Sequence, residues 1–383
     1  MEKGLANKEY PMYELEKLKE KLTLDGRKIF DFGTGDPKEE TPLFIQQAFL
    51  NSLNSVSQYP TVRGKSELRV ACANWLKRRF GVNINPDSEI IPLTGAKEGI
   101  FHITPILTEI NSNKNLIIVG SPGYQVPQRS AEMFGVRLHV EELNADNAWC
   151  LDLSLIEPEV LKKAAAVWFN YPHNPTGQMV DLAFYQRQLE IAKKFDIIIC
   201  SDETYVDIYQ SSVKPPSFLE CGVNGVLAFH SCSKRSCMTG YRTGFLAGDS
   251  NIISKYLSAR SVMGLATPDF TQAAATSAWG DDEHAAKRRD LIANKKQLFE
   301  EFLKNIGVKY LQSSATFYIW CESPDHYTAT SYTKKLLDFG IIVSPESHFL
   351  GKNDKYFRIA LVPKLEDCIE AIEVWKEISN GGN

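Results

Sequence analysis

Between residues 90 and 250 the chain alternates short apolar runs with longer stretches of mixed polarity. Runs at 90–93, 115–121, 136–140, 164–169, 196–200, 226–229 and 245–247 are rich in Ile, Val, Leu, Ala and Phe and mostly end at Gly, Pro, Asn or Ser. They are too short for core helices, so they read as buried strands. Helical patterns are expected at 100–107 and 183–194 between them. Strands apolar on both faces and joined through helices predict a mostly parallel sheet covered by helices, an α/β architecture. Upstream, helices are expected at 13–22, at 41–53 and from Ser66 onward, where Leu68, Val70, Trp75 and Leu76 supply apolar positions. Downstream, 268–303 reads as largely helical and is interrupted at Gly280-Asp281-Asp282. The remainder mixes strand patterns at 317–321 and 356–361 with helical ones at 331–337 and 365–378, a smaller α+β unit. The expected division is an N-terminal arm contributing to the small unit (1–40), a large domain (41–280) and a C-terminal small domain (281–383).

The 383 residues exceed what one small core needs and suit two or three units. A net charge of −4 argues against a broad nucleic-acid-binding face. The first residues, MEKGLANKEYP, lack the apolar stretch of a secretory signal, and no apolar run reaches the roughly 20 residues of a membrane span. Eight scattered cysteines without a CxxC pair, several inside apolar runs, point to reduced thiols and a cytoplasmic setting. No HExxH-type spacing marks a metal site.

The chemistry-bearing residues gather where the strand patterns end. Thr94-Gly95-Ala96-Lys97 is a small-residue turn entering a helix, which leaves backbone amides facing outward for an anion. Tyr124 follows the run 115–121 and offers an aromatic face. Asn170 to Gly177 reads NYPHNPTG, a turn fixed by two prolines that presents Asn174. Asp202 and Tyr205 follow 196–200; a buried aspartate there calls for a cationic partner. Ser231-Cys232-Ser233-Lys234 follows 226–229, with Arg242 eight positions on, and combines a lysine able to bond a carbonyl with groups able to hold a phosphate. The DFGTGDP turn at 31–37 adds exposed amides around Gly35. Each feature alone fits an ordinary turn; their shared address at strand carboxyl ends, where α/β proteins bind ligands, separates them from ordinary turns.

Asn174-Pro175-Thr176-Gly177 and Ser231-x-Ser233-Lys234 with Arg242 resemble the fold-type I pyridoxal-phosphate aminotransferases, and the likeness runs along nearly the whole chain. It implies a large domain with a mostly parallel sheet plus a smaller α+β domain, and pyridoxal 5'-phosphate as cofactor. Lys234 would bond the cofactor and shuttle the substrate proton, while Asp202 would keep the ring nitrogen protonated. Tyr205 and Asn174 would hydrogen-bond the ring oxygen, and Tyr124 would stack on the ring. Gly95, Ala96, Lys97, Ser231, Ser233 and Arg242 would hold the phosphate. Tyr59 matches a tyrosine that reaches the phosphate of a neighbouring subunit, implying a homodimer. Arg358, in FRIAL, matches the clamp on the substrate α-carboxylate, which Gly35 faces. The substrates implied are amino acids and 2-oxo acids. Pro345-Glu346-Ser347 departs from the family's Pro-Gly near the domain closure.

SQYPTVRGKSELR, NWLKRRFGV, FHSCSKR and FRIALV are similar, more narrowly, to bacterial N-succinyldiaminopimelate aminotransferases of lysine and cell-wall precursor synthesis. That likeness implies a multiply anionic substrate, for which Arg63 is the candidate contact to a distal carboxylate. An aspartate- or aromatic-type aminotransferase, a C–S lyase on the same cofactor and a non-catalytic binding module are the alternatives.

Overall fold

The computed structural model describes residues 17, 19, 20, 22–24, 26–54, 56–210 and 214–380, so the helix expected at 13–22 falls largely outside the described residues. In chain order the elements are β1 (Phe30–Asp31), α1 (Leu43–Asn51), α2 (Ser66–Phe80), β2 (Ile90–Leu93), α3 (Ala96–His102), α4 (Thr104–Ile110), β3 (Leu116–Ser121), α5 (Val126–Met133) and β4 (Arg137–Glu142). There follow α6 (Pro158–Leu161), β5 (Ala164–Phe169), α7 (Leu182–Lys194), β6 (Ile198–Asp202), β7 (Val226–Ser231), α8 (Cys232–Arg235), β8 (Gly244–Gly248), α9 (Ser250–Met263) and α10 (Asp269–Gly280). The last elements are α11 (Glu283–Asn305), β9 (Tyr318–Glu322), α12 (Ala329–Leu337), β10 (Ile341–Ile342), β11 (Ser344–Pro345), β12 (Tyr356–Ala360) and α13 (Leu365–Asn380).

The main sheet has the order β2-β8-β7-β6-β5-β3-β4. Every residue of β5, β6 and β7 is buried, because helices cover both faces, and this is why these strands read as unbroken apolar runs. α7 shows the local logic of the covering helices. Asp181 accepts the Phe184 N–H at 2.7 Å to cap it, and Phe184, Tyr185, Gln188, Leu189 and Ala192 are its buried residues.

The sheet is mostly parallel, as expected, and β8 is its one reversed strand. β8 pairs antiparallel with both β2 and β7, setting Gly244 opposite Leu93 and Ser231. The start of β8 therefore lies at the same sheet edge as the ends of its neighbours, which puts Arg242 at that edge beside Lys234. Other details differ from the sequence pattern. The run at 136–140, read as a buried strand, becomes β4 at the edge of the sheet, with none of its residues buried. The helix expected at 100–107 divides at Ile103 into α3 and α4, with a proline in the first turn of α4. α5 and α9 were not foreseen; α9 has no strong apolar stripe and is delimited by an Asp249 cap and a left-handed Gly264.

A second core gathers Phe32, residues of α11 such as Phe299 and Phe302, Tyr332 of α12 and Trp375 of α13 against the antiparallel sheet β11-β12-β9. β1 pairs in parallel with β10, so the N-terminal strand joins this second core. Tyr205 and Ile208, from the segment after β6, also belong to it. Among the described residues no helix is long and apolar enough to cross a membrane, and no cluster of three or more His, Cys, Asp or Glu is arranged for a metal.

Candidate active site

A cavity of about 500 Å³ opens at the carboxyl edge of the main sheet, against the second core. It is lined by Gly35, Ala96, Lys97, Tyr124, Asn174, Asp202, Tyr205, Ser231, Ser233, Lys234, Arg242 and Arg358, and so unites twelve of the residues singled out from the sequence. Gly95 lies directly behind it. Its φ of +86° suits glycine, and a Cβ there would come within 2.5 Å of the Arg242 guanidinium. Tyr59 and Arg63 are exposed and do not line the cavity of this chain.

Lys234 stands in the one-turn helix α8, which begins where β7 ends. The Ser231 hydroxyl accepts the Ser233 N–H at 3.1 Å and caps that turn, leaving the Ser233 side chain among the cavity's lining groups. The Lys234 Nζ donates to the Gly35 carbonyl. Removal from water pulls its amine down to about 8; Asp36 opposes this, and Arg358, Arg288 and Lys97 add to it. A neutral, nucleophilic amine is thereby accessible near neutral pH.

Asp202 is buried at the end of β6. Its carboxylate accepts from the Thr204 N–H at 3.1 Å and the Thr204 hydroxyl at 2.6 Å. Burial pushes it up to about 6 against the pull of those two bonds. Asn174 is held by its own N–H on the Asn170 Oδ1 at 3.0 Å, and Asn170 in turn donates to the Asp202 carbonyl at 2.9 Å. The Asn174 Oδ1 accepts from the Arg358 Nη1 at 2.7 Å, which leaves its amide NH₂ as the donor for a ligand. The Tyr205 hydroxyl is shared with that of Tyr318 at 2.6 Å.

Arg358 projects from β12. Its Nη2 donates to the Gly33 carbonyl at 2.6 Å, and the guanidinium lies 4.2 Å from the Tyr318 ring centroid and 4.6 Å from that of Phe349. Among the described residues its buried Nε has no hydrogen-bond partner, a donor held out of water. Gly35 must lack a side chain because a Cβ would meet the Tyr318 hydroxyl at 2.4 Å.

The segment after Pro345 explains the departure noted in the sequence. Glu346 is buried and accepts the backbone N–H groups of Asn353, Lys355 and Tyr356 at 3.4, 3.1 and 3.2 Å. This fixes a loop that crosses to the segment after β3, where Gly123 N–H reaches the Phe349 carbonyl at 3.0 Å and Gln125 reaches that of His348 at 2.6 Å. His348, Phe349, Tyr318, Asp36 and Thr204 line the cavity and were missed in the sequence. For Asp36 and Thr204 a signal existed, since both lie inside turns already marked; for the others none did.

A second buried pair lies behind the cavity. Glu203 accepts the Phe218 N–H at 2.9 Å on one oxygen, and the other is 3.5 Å from the His230 Nε2. Burial pushes Glu203 up to about 7 and His230 down to about 3. The ionised Glu203 is thus disfavoured in the folded chain, and the cost is absent below the unfolded carboxyl range and complete above about pH 7. Glu203→Gln is expected to stabilise the protein at pH 8 by on the order of 3 kcal/mol and to change nothing at pH 4. Urea unfolding at the two pH values checks this.

The aminotransferase class I and II family model matches residues 27–374. The chain belongs to that family. It is 34% identical over 375 residues to the LL-diaminopimelate aminotransferase of Aquifex aeolicus (strain VF5), covering 96% of both chains. It is 33% identical over 363 residues to the enzyme of the same name from Dehalococcoides mccartyi (strain CBDB1), covering 92% and 93%. The substrate-bound BacF structure from Bacillus subtilis superposes with a TM-score of 0.91 at 29% identity, over 98% of this chain and 96% of that one. This aminotransferase therefore depends on pyridoxal phosphate and moves an amino group between amino acids and 2-oxo acids.

The cavity's own atoms fit that cofactor. Asp202 is a buried carboxylate with no cationic side chain paired to it among the described residues, as suits a protonated ring nitrogen. At the other end α3 begins at Ala96, where helix amides have no intrahelical acceptor, beside Ser231, Ser233 and Arg242. When bound, pyridoxal phosphate supplies an aldehyde for an amine and a cationic ring that accepts the electron pair left at the substrate α-carbon.

Proposed function

We propose that this aminotransferase acts on a diaminopimelate skeleton, with glutamate and 2-oxoglutarate as the other couple. The observation that carries the reading is Arg358, a cation fixed between Asn174 and the Gly33 carbonyl, with its buried Nε still to be paired. Such a fork takes an α-carboxylate in two hydrogen bonds and holds the α-carbon near Lys234. Lys234 is then the group that moves the α-proton, Asp202 the ion partner of the ring nitrogen, and the Asn174 amide and Tyr205 the contacts to the ring oxygen. Tyr124 stacks on the ring, and Gly35 faces the substrate carboxylate.

The diaminopimelate skeleton is supported by the curated relatives, named for LL-diaminopimelate and more than 30% identical over most of the chain. A carboxylate, Asp36, also lines the cavity; it would suit the second ammonium of the free diamino acid, which the N-succinyl derivative lacks. The N-succinyl substrate is the second reading, favoured by the SQYPTVRGKSELR and FRIALV stretches.

A homodimer completes the reading. Tyr59 is fully exposed, while Arg260 grips its loop at the Val62 carbonyl at 3.2 Å and Gln272 grips it at the Lys65 N–H at 2.7 Å. Leu43, Leu50, Leu53, Val56 and Val262 are also exposed. In a dimer this loop would bring Tyr59, and Arg63 with it, to the other subunit's cavity.

The test is a half-reaction screen. The cofactor-loaded protein is mixed with single amino donors, and loss of the absorbance of the lysine-bound cofactor is followed. Glutamate and LL-diaminopimelate are expected to respond, the latter at least about tenfold faster than its N-succinyl derivative. The reverse order would establish the second reading. Silence toward both diaminopimelates would end the proposal and leave the family membership intact. Pyruvate and ammonia released from a sulfur amino acid without any oxo acid would indicate a lyase instead.

A further inference from the structure

We propose that Arg288 is a positioning residue for Lys234, fastening the lysine's backbone to the turn that faces the substrate carboxylate. The inference rests on Lys234 as the cofactor-bonding lysine. α8 is a single turn, and a helix that short leaves its last carbonyls without partners of its own. The Lys234 carbonyl is met instead from α11, by the Arg288 Nε at 2.6 Å. The same guanidinium donates through Nη1 to the Glu39 Oε2 at 3.0 Å. Glu39 also pairs with Lys295, which is fully buried and donates to the carbonyls of Leu361 and Pro363.

This places one ion triad between four segments. Glu39 lies four residues after Gly35, whose carbonyl takes the Lys234 Nζ, and six after Gly33, whose carbonyl takes Arg358. Leu361 and Pro363 follow directly on the strand that carries Arg358. The lysine's backbone, the carboxylate-facing turn and the base of β12 are thus tied to one another through Arg288, Glu39 and Lys295. Burial opposes ionisation of Glu39, yet Arg288 and Lys295 keep its carboxyl below the usual range, so Glu39 stays ionised at neutral pH. A buried ion pair of this kind is weak evidence for stability as such, and specifying an arrangement is the use that its geometry fits.

Arg288 also acts on the amine. The charged groups facing Lys234 are Asp36, which raises its basicity, and Arg358, Arg288 and Lys97, which lower it. Removing one cation of the three should return the amine toward its ordinary range, a consequence that a purely structural residue would not have.

The test uses the cofactor-free full chain. Pyridoxal phosphate is added across a pH series, the bond is trapped with borohydride, and the labelled lysine is located by mass spectrometry. In the wild type the trapping rate should rise with pH to a midpoint near 8, because the neutral amine is the nucleophile. Arg288→Gln is expected to move that midpoint upward and to slow trapping at pH 7 by severalfold. Arg288→Lys keeps the charge and should restore the midpoint. Glu39→Gln leaves Arg288 untethered and should lower kcat by about tenfold with KM little changed, as expected when alignment in the reacting complex is lost. An Arg288→Gln protein that melts normally and traps with an unchanged pH profile would overturn the proposal. If that variant does not fold, unchanged trapping and kcat in Glu39→Gln would overturn it equally. Label on a residue other than Lys234 would overturn both this inference and the site assignment.

Discussion

Lys234→Ala is expected to leave a folded protein that binds pyridoxal phosphate without a covalent bond and has lost turnover. The other residues proposed to hold the cofactor lie on different segments. Asp202 ends β6, Asn174 sits in its own proline-fixed turn, and Ala96 opens α3, so the site keeps its shape when one side chain is shortened. On the proposed reading two things are lost together, the amine that bonds the aldehyde and the base that moves the α-proton. Turnover should fall by at least about 10⁴-fold, the upper end of what proton transfer by a positioned side chain supplies. Borohydride should no longer fix the cofactor to the protein, and the absorbance of the lysine-bound cofactor should be absent. The same absorbance persisting in the variant would show that another amine carries the cofactor.

Arg358→Gln should weaken every amino-acid and oxo-acid substrate while sparing the cofactor. The guanidinium makes no contact with the residues at the phosphate end, and Lys234, Asp202 and Ser231 all remain. A substrate carboxylate would lose two charge-assisted hydrogen bonds, each worth roughly 1.5–3 kcal/mol, so kcat/KM should drop by about 10²- to 10⁴-fold. The cofactor should stay bonded to the protein, and the loss should appear mainly in KM. Equal kcat/KM for wild type and variant with glutamate would remove Arg358 from the substrate site. The substitution also takes a positive neighbour from Lys234, so the amine's midpoint should rise, in the same direction as in Arg288→Gln.

How far the site could be read in advance varies with the residue. Lys234, Asp202, Asn174 and Tyr124 each follow an apolar run directly, and an apolar run ending in a polar turn marks a strand's carboxyl end wherever it occurs. Their convergence then needs only parallel strands in one sheet. Arg242 needed more, because it lies at this edge only through the reversal of β8, and nothing in Phe245-Leu246-Ala247 states a strand's direction. Ser231 and Ser233 looked alike in the sequence. Both line the cavity, and the structure separates them only in that Ser231 also caps α8.

Tyr318 and Phe349 left no trace, and Glu346 showed only as a departure from the family's Pro-Gly. Tyr318 is one aromatic in a strand, and its pairing with the Tyr205 hydroxyl spans 113 positions. Glu346 reads as a surface charge until three backbone amides are found around it. Arg288 belongs to the same class, since Lys-Arg-Arg-Asp in a long helix is the usual pattern of a solvated face.

The amino-acid sequence by itself determined the α/β class, the positions of most of the main-sheet strands, and the residues at the sheet's carboxyl edge. Those features are local: burial on both faces demands apolar runs, and sharp turns demand Gly, Pro and Asn. Tertiary structure alone decided the reversal of β8, the shared hydroxyls of Tyr205 and Tyr318, the grip of Glu346 on its loop and the triad of Glu39, Arg288 and Lys295. The tyrosine pair and the triad join groups far apart in the chain, the reversal of β8 depends on strand pairing, and the Glu346 grip, though it spans only 7 to 10 positions, depends on how its loop closes; no local pattern of residues encodes these.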